Sequence, residues 1–131
     1  MYLKNYNMKL NYYIFDIDGT IAKMSPKRKK ALEDKDYGLF YSDLVLEDEP
    51  IRQTIRVLNF LEDDRNSNII LMSWRSNECC QHTVERLNKY KIPYARLLMR
   101  QSWDHRQDAY IKSELYDKCL SQQEGKCLWV F

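Results

Sequence analysis

The chain has 131 residues, 44% of them hydrophobic and 31% charged, which is enough for one packed domain and too short for two ordinary ones. Its 21 basic and 19 acidic side chains give a formal net charge of +2, which excludes a global electrostatic basis for nucleic-acid binding. No apolar run approaches the ~18 residues that cross a bilayer, and the N-terminus lacks the apolar segment of a signal peptide. We therefore expect a single domain over residues 1–131 that does not bind a membrane.

The cysteines and histidines follow no metal-site or disulfide pattern. The four cysteines stand at positions 79, 80, 119 and 127, and the chain has two histidines. No Cys-x-x-Cys pair occurs, which excludes the usual zinc and disulfide frameworks. We therefore expect reduced thiols in a cytoplasmic protein.

Hydrophobic periodicity predicts strands that alternate with helices. Residues 1–9 form a polar lead-in, and the four apolar residues at 12–15 are typical of a buried strand. We predict strands at about 11–17, 68–72, 95–99 and 126–131, and helices at about 50–64, 77–90 and 107–121. Residues 21–24 are expected to continue the first strand, and Pro50 is expected to open the first of these helices. The alternation predicts an α/β fold with a doubly wound parallel sheet.

Residues 23–49 separate the first strand from the first long helix. They are expected to form a small lid, and the mixture of aromatic and acidic residues at 31–49 predicts a short helix or an irregular segment there. This segment contains a concentrated positive charge, Lys-Arg-Lys-Lys at 27–30. Such a run is usually solvated surface, but its place shortly after an acidic turn also fits a patch, including Arg28, that attracts a polyanionic phosphate substrate.

Two acids on alternate positions follow the first strand. Asp16 and Asp18 are followed by Gly19-Thr20, which ends the strand. In open α/β sheets, chemistry collects beyond the carboxyl ends of the strands. Paired carboxylates there suit Mg²⁺, and one of them suits the nucleophile of an aspartyl-phosphate mechanism. Thr20 offers a hydroxyl and a backbone N–H to an anion. The alternative is an acidic turn without function, but the apolar strand before the acids and Gly-Thr after them favour the functional interpretation.

Later strand ends carry candidate phosphate-binding residues. Ser73 follows the second strand, and the planar guanidinium of Arg75 suits phosphate, although a serine in this place could also cap a helix. Asp108 and Lys112 stand one helical turn apart and share a helix face. This spacing is typical of a surface ion pair, whereas the functional interpretation is a lysine that neutralises the nucleophilic carboxylate and the phosphate, with Asp108 positioning it.

The order of these motifs resembles that of the haloacid dehalogenase-like (HAD) phosphatases, above all the 3′-phosphatase domain of phage polynucleotide kinase–phosphatases and its phage and bacterial relatives. The resemblance covers nearly the whole chain from residue 11. The matching segments are Ile-Phe-Asp-Ile-Asp-Gly-Thr-Ile-Ala at 14–22, Tyr-Ser-Asp through Asp-Glu-Pro-Ile at 41–51, Ile-Leu-Met-Ser-Trp-Arg at 70–75, and Asp-His-Arg-Gln-Asp-Ala-Tyr-Ile-Lys at 104–112. Trp74 stands where glycine is usual in the family.

The resemblance implies a HAD-like core with a minimal cap and a Mg²⁺-dependent phosphomonoesterase activity. Asp16 would attack phosphorus and form an aspartyl-phosphate. Asp18 would protonate the leaving alcohol and then activate water, and both aspartates would bind Mg²⁺. Ser73 and Lys112 would hold the phosphoryl oxygens, and Arg75 would contact the substrate.

The resemblance also implies an acidic fourth motif directly after the fourth strand, in which an aspartate completes the Mg²⁺ site. The printed sequence ends in Leu-Trp-Val-Phe at 128–131, without those acids, the following helix or a fifth strand. We therefore expect a truncated form in which the C-terminal strand and helix are missing. The exposed edge of the fourth strand would allow pairing with another chain.

Two functions fit these sequence features. The first is an enzyme that removes phosphate from the 3′ end of a nucleic acid, with a small nucleotide or sugar phosphate as the alternative substrate. The second is a catalytically impaired module that binds a phosphate-bearing ligand or a partner protein.

Overall fold

Four parallel strands form the main sheet of the protein. A computed structural model describes residues 11–63, 67–122 and 126–131. The strands in chain order are β1 (Asn11–Phe15), β2 (Ala22–Lys23), β3 (Glu49–Pro50), β4 (Ser67–Ser76), β5 (Arg96–Arg100) and β6 (Cys127–Val130). β5, β4, β1 and β6 lie side by side in that order, all parallel, while β2 and β3 form a separate antiparallel pair. The predicted parallel sheet is confirmed, and the predicted lead-in at 1–9 lies outside the described residues.

Helices cover both faces of this sheet. They are α1 (Pro26–Glu33), α2 (Tyr37–Phe40), α3 (Arg52–Glu62), α4 (Cys80–Lys89) and α5 (Asp108–Gln122), with 3₁₀ turns at Asp43–Glu47 and Asn77–Cys79. On one face, Leu58 of α3 and Leu87 of α4 pack in one cluster with Phe15 of β1. On the other face, Cys119 of α5 packs with Ile14. Alternate residues of β1 therefore point to opposite layers, as a doubly wound sheet requires.

Apolar spacing accounts for the two longest helices. In α3, Ile55, Leu58 and Leu61 recur every three residues, and all three pack against the core. In α5, Ile111 and Cys119 are buried eight positions apart, about two turns, so one stripe of the helix faces the sheet. None of the helices in the described ranges is long and apolar enough to cross a bilayer.

Two boundary predictions are wrong. Pro50 does not open a helix: it pairs with Ala22 in the small β2–β3 ribbon, and α3 starts at Arg52. Residues 21–24 do not continue the first strand, because the chain turns at Gly19, whose φ is 80°. A left-handed backbone at a residue without Cβ redirects the chain at little steric cost. The ribbon that results joins the acidic turn to the start of α3.

Residues 23–49 form a small helical unit. Ser25 caps α1 by accepting a hydrogen bond from the backbone N–H of Arg28, with Pro26 in the first turn. Ala31, Phe40 and other apolar residues of this unit are buried together with Cys79, which follows β4. The short helix predicted within 31–49 is present as α2, and the role of the unit as a lid stays a prediction.

β6 forms one edge of the described sheet and leaves large apolar side chains in contact with solvent. Trp129 is 64% exposed and Val130 is 52% exposed. An exposed apolar edge strand offers unpaired backbone groups to another strand. Pairing with a second chain through this edge stays a prediction.

Leu58→Ala is expected to lower the free energy of unfolding by about 2–5 kcal/mol, because removing a fully buried leucine leaves a cavity in the core. The matched control is Val57→Ala on the same helix, where the side chain is 43% exposed and the expected loss is about 0.5 kcal/mol. Urea denaturation followed by circular dichroism measures both. Equal losses in the two variants would contradict the packing of α3 on the sheet.

Candidate active site

The Asp-x-Asp turn is shaped by hydrogen bonds to one carbonyl. β1 ends at Phe15, and the backbone N–H groups of Thr20, Ile21 and Ala22 all donate to the carbonyl oxygen of Ile17, at 2.9–3.1 Å. The side chain of Ile17 is buried, so the residue between the two acids anchors the turn in the core. Asp16 and Asp18 on either side of it keep partly exposed carboxylates at the carboxyl edge of the sheet.

The turn limits what Thr20 can offer to an anion. Its backbone N–H donates to the carbonyl oxygen of Ile17 at 3.1 Å, so the prediction that this N–H is available to an anion is wrong. The reason is local: a turn this tight uses its own amides to satisfy one carbonyl. The half-buried hydroxyl of Thr20 stays a candidate for substrate binding.

The lysine of α5 reaches the first aspartate. Lys112 Nζ donates to Asp16 Oδ2 at 2.9 Å and lies 3.3 Å from Asp108 Oδ2. The pair at 108 and 112 is therefore not only a surface ion pair, since the lysine bridges the two carboxylates. Burial alone would lower the pKa of Lys112, but the hydrogen bond and charge of Asp16 outweigh it and raise that pKa. The ammonium group stays charged at neutral pH, next to the candidate nucleophile.

Ser73 lies inside β4, one residue before Trp74, and is buried. Its hydroxyl oxygen accepts a hydrogen bond from the backbone N–H of Arg75 at 3.1 Å. It does not cap a helix, because Ser76 takes that role for the following 3₁₀ turn. The register, in which Phe15 lies beside Leu71, brings the carboxyl ends of β1 and β4 to the same edge of the sheet.

Two arginines hold the second aspartate. Arg75 donates from Nη2 to Asp18 Oδ1 at 2.8 Å and from Nε to both carboxylate oxygens at 3.1–3.2 Å, and Arg28 Nη1 donates to Oδ1 at 3.0 Å. Both arginines are almost fully buried, at 2% and 0% exposure. Planar guanidinium groups suit such forked contacts with a carboxylate. Asp18 therefore has a fixed orientation at the sheet edge.

Asp48 joins the same network and was not singled out by its sequence position as a site residue. Its Oδ2 accepts from Arg28 Nη1 at 2.5 Å and from Arg75 Nη2 at 2.9 Å, while Oδ1 accepts from the backbone N–H of Ser25. Arg86 of α4 donates to its backbone carbonyl. Two buried cations thus face two carboxylates, so the charges of the cluster balance. In the sequence, Asp48 lies in the segment at 41–51 that resembles the family, but this resemblance did not identify Asp48 or any other single residue of the segment as a site residue.

The two carboxylates of this cluster have opposite pKa shifts. Burial alone would raise the pKa of Asp18, but the hydrogen bonds and charge of Arg75, with those of Arg28, outweigh burial and hold that pKa below its ordinary value. Burial raises the pKa of Asp48 despite the same two arginines. Asp18 is therefore ionised at neutral pH, and its carboxylate accepts hydrogen bonds only.

The basic run at 27–30 is not one solvated patch. Arg28 points inward and is fully buried, with Nε donating to the carbonyl oxygen of Phe40 at 3.0 Å. Lys27 and Lys30 are exposed but paired with acids of their own unit, Glu47 and Asp34. The expectation that Arg28 belongs to an exposed patch is wrong, because a helical periodicity turns one residue of four toward the core. Its role in substrate binding stays a prediction.

The donor set fits Mg²⁺ at Asp16 better than at Asp18. Within the described residues, Asp16 Oδ1 accepts one hydrogen bond from the backbone N–H of Ile17, and Oδ2 accepts one from Lys112. Each oxygen therefore keeps a lone pair among these contacts. Oδ1 of Asp18 already takes three N–H contacts. In the described ranges, no group of three or more His, Cys, Asp or Glu side chains could hold a metal ion. Mg²⁺ is usually bound in proteins through one or two carboxylates, with waters and substrate phosphate as the other ligands.

Comparisons with known proteins agree with the fold. The profile of the family described as the polynucleotide kinase PNKP phosphatase domain matches residues 10–123. A solved structure of a Pnkp1/Rnl/Hen1 complex aligns with a TM-score of 0.68 and 26% identity, covering 95% of this chain and 38% of that one. A structure of the Pnkp1/Rnl/Hen1 RNA repair complex aligns with a TM-score of 0.75 and 25% identity, covering 98% and 37%. No curated protein matches the chain.

Proposed function

Since this chain belongs to the HAD-like phosphatase domain family of polynucleotide kinases, we propose that it is a Mg²⁺-dependent phosphomonoesterase that acts on 3′-phosphate ends of nucleic acid. The observation that carries the proposal is the 2.9 Å contact between Lys112 Nζ and Asp16 Oδ2. It places the cation of a late helix against the carboxylate of the first motif, 96 residues apart in sequence. Phosphoryl transfer depends on this combination of positioning and charge neutralisation.

The proposed reaction has two displacement steps at one phosphorus atom. In the first, an oxygen of Asp16 attacks phosphorus, the bond from phosphorus to the ester oxygen breaks, and the leaving oxygen takes a proton. In the second, water attacks the same phosphorus and loses a proton, the bond to Asp16 breaks, and inorganic phosphate leaves. Lys112 and Ser73 are proposed to hold the phosphoryl oxygens through both steps.

Asp18 is the proposed proton-transfer residue. Its low pKa and its two arginine partners favour the ionised state, which accepts a proton from the attacking water in the second step. Donation of a proton to the leaving alcohol requires the protonated state, and this requires Asp18 to give up part of its contact with Arg75. We therefore expect substrate binding to loosen that contact.

Asp16 is the residue proposed to hold Mg²⁺, through the lone pairs that its two hydrogen bonds leave open. When bound, the ion supplies positive charge that neutralises the phosphoryl oxygens. Asp108 is proposed to position Lys112 for the same oxygens, from its place 3.3 Å away.

One observation favours the second candidate, a module that binds a phosphate-bearing ligand without turnover. Asp18 is held by two guanidinium groups and is ionised, which is not the state of a proton donor. A protein of this kind would bind a 3′-phosphorylated oligonucleotide and release no phosphate.

Phosphate release from matched substrates tests both candidates. We expect inorganic phosphate from a 3′-phosphorylated oligonucleotide in the presence of Mg²⁺, at a higher kcat/KM than from a 3′-mononucleotide, and none from the same oligonucleotide phosphorylated at its 5′ end. DNA and RNA versions belong in the test, because one similar structure is that of an RNA repair complex. A preference for the mononucleotide would contradict the nucleic-acid substrate. Binding without release from any substrate would favour the binding module.

A further inference from the structure

An aromatic groove lies at the carboxyl edge of the sheet, between α2 and the loop that follows β5. It has a volume of about 510 Å³, and its walls include Tyr37, Tyr41, Trp74, Arg100, His105 and Arg106. None of these six residues belongs to the group around Asp16 and Asp18 that is proposed to act on phosphate. The aromatic groove is therefore a separate surface that the proposed reaction leaves unused.

The chain connects the groove directly to the proposed phosphate site. Trp74 follows Ser73 in β4, and Gln107, which also lines the groove, directly precedes Asp108 at the start of α5. Two walls of the groove are thus one residue away from groups proposed to act on phosphate. A ligand whose phosphate lies at Asp16 can extend its next unit along this edge of the sheet.

The lining suits a flat ring. Tyr37 is 48% exposed and Trp74 is partly exposed, so both present ring surface to solvent. The guanidinium carbon of Arg100 lies 5.1 Å from the ring centre of Trp74 and 5.2 Å from that of Tyr41. This arginine holds the tryptophan in place and also donates to its carbonyl oxygen at 3.1 Å. A base can stack on such a platform whatever its sequence, because every base has a π face.

The charged residues that line the groove indicate how much negative charge a ligand can carry there. Arg100 directs its hydrogen bonds to the carbonyl oxygens of Trp74, Gln101 and Asp104, and no carboxylate among the described residues accepts a hydrogen bond from it. Arg106, in contrast, is paired with Asp104 and with Glu114. Glu78 also lines the groove and brings a negative charge, so the lining has no large excess of positive charge. It therefore fits one nucleoside rather than a long polyanion.

We propose that the aromatic groove binds the nucleoside next to the phosphorylated end of a single-stranded nucleic acid, with its base stacked on Trp74 and Tyr37. The proposal rests on the proposed function, which it extends from the phosphate to the adjoining base. It also gives Trp74, which replaces the glycine expected in the motif, a part in substrate recognition.

Fluorescence anisotropy with a labelled, 3′-phosphorylated oligonucleotide tests the groove without catalysis, in the presence of EDTA. Trp74→Ala is expected to weaken binding on the order of tenfold. The matched control is Trp129→Ala, which removes a tryptophan that is 64% exposed. Trp129 lies on β6, the outermost strand on the side of the sheet away from β5. This variant should leave binding unchanged.

A second pair of variants covers any effect of Trp74→Ala on folding, since Trp74 packs against buried residues of the helical unit. Tyr37→Ala removes a ring that is already half exposed and should weaken binding several-fold, and Trp74→Phe should retain most of the affinity. Replacing the terminal nucleoside of the ligand by an abasic residue should weaken binding to the wild-type protein by a similar factor, and should add little to the loss in Trp74→Ala.

Equal affinity of the wild-type protein for the intact and abasic ligands would overturn the groove proposal. So would an abasic penalty that persists in full in both Trp74→Ala and Tyr37→Ala. Failure of the proposed function is a different result: no phosphate release from the oligonucleotide or from glycerol phosphate in Mg²⁺. The binding measurement still decides the role of the groove in that case, because it does not depend on turnover.

Discussion

Asp16→Asn is expected to reduce phosphate release from a 3′-phosphorylated oligonucleotide on the order of 10⁴-fold or more. The amide keeps the shape of the side chain but is not a nucleophile, and it no longer carries the charge that faces Lys112 at 2.9 Å. The fold should persist, because the side chain of Asp16 is 25% exposed and its turn is held by Ile17. Steady-state release of inorganic phosphate measures the effect.

The control for this variant is Asp117→Asn, an exposed aspartate on the same helix as Lys112. It should retain the wild-type rate. Rapid quenching with phosphate-labelled substrate adds a second measurement, since the wild-type protein should carry a covalent label that Asp16→Asn lacks. Retention of a tenth or more of the wild-type rate in Asp16→Asn would rule out the nucleophile assignment.

Asp48→Asn is expected to lower the free energy of unfolding by about 3–5 kcal/mol. Asp48 is 1% exposed, and one of its oxygens accepts from both Arg28 and Arg75. Removal of its charge leaves two buried guanidinium groups facing the single carboxylate of Asp18. A buried cation that loses its partner keeps its desolvation cost without the compensating attraction. Chemical denaturation measures the loss.

Asp34→Asn provides the comparison, because it removes the same charge from an ion pair in solvent. Asp34 pairs with Lys30 at 3.0 Å, and both side chains are more than half exposed. Screening by water and salt makes such a pair contribute little. Similar losses in the two aspartate variants would contradict the picture of a balanced, buried cluster. Added salt should leave the loss in Asp48→Asn nearly unchanged.

The sequence predicted that Asp16 and Asp18 lie at the carboxyl edge of the sheet, because the signals for this position are local. The apolar residues before Asp16 and Asp18 predict a strand, and the two acids mark its end. The carboxyl ends of parallel strands lie at one edge of the sheet. Ser73 was expected to follow its strand by the same rule, but β4 continues to Ser76, so Ser73 lies within the strand. Lys112 was predicted from the order of the motifs along the chain. Its spacing to Asp108 alone did not distinguish a surface ion pair from a lysine of the site, and the contact with Asp16 shows that Lys112 reaches the first aspartate.

The errors of the sequence prediction have a different origin. Arg28 stands in a run of four basic residues, and composition alone predicts solvent for all of them. The capped helix that starts at Pro26 turns this one residue into the core, where Phe40 and the two carboxylates receive its hydrogen bonds. The backbone N–H of Thr20 was predicted to bind an anion because the hydrogen bonds within the turn at Gly19 were not predicted. In the structure this N–H donates to the carbonyl oxygen of Ile17.

By itself, the sequence determined the parallel sheet, the acidic turn and the order of the motifs, because hydrophobic period and strand-breaking residues act over a few neighbours. The tertiary structure alone decided which charges are buried together. Asp18 meets Arg28 across 10 residues and Arg75 across 57, and Asp48 meets the same arginines across 20 and 27. No local pattern distinguishes such residues from surface charges, since their pairing follows from topology and from the cost of burying a charge without a partner.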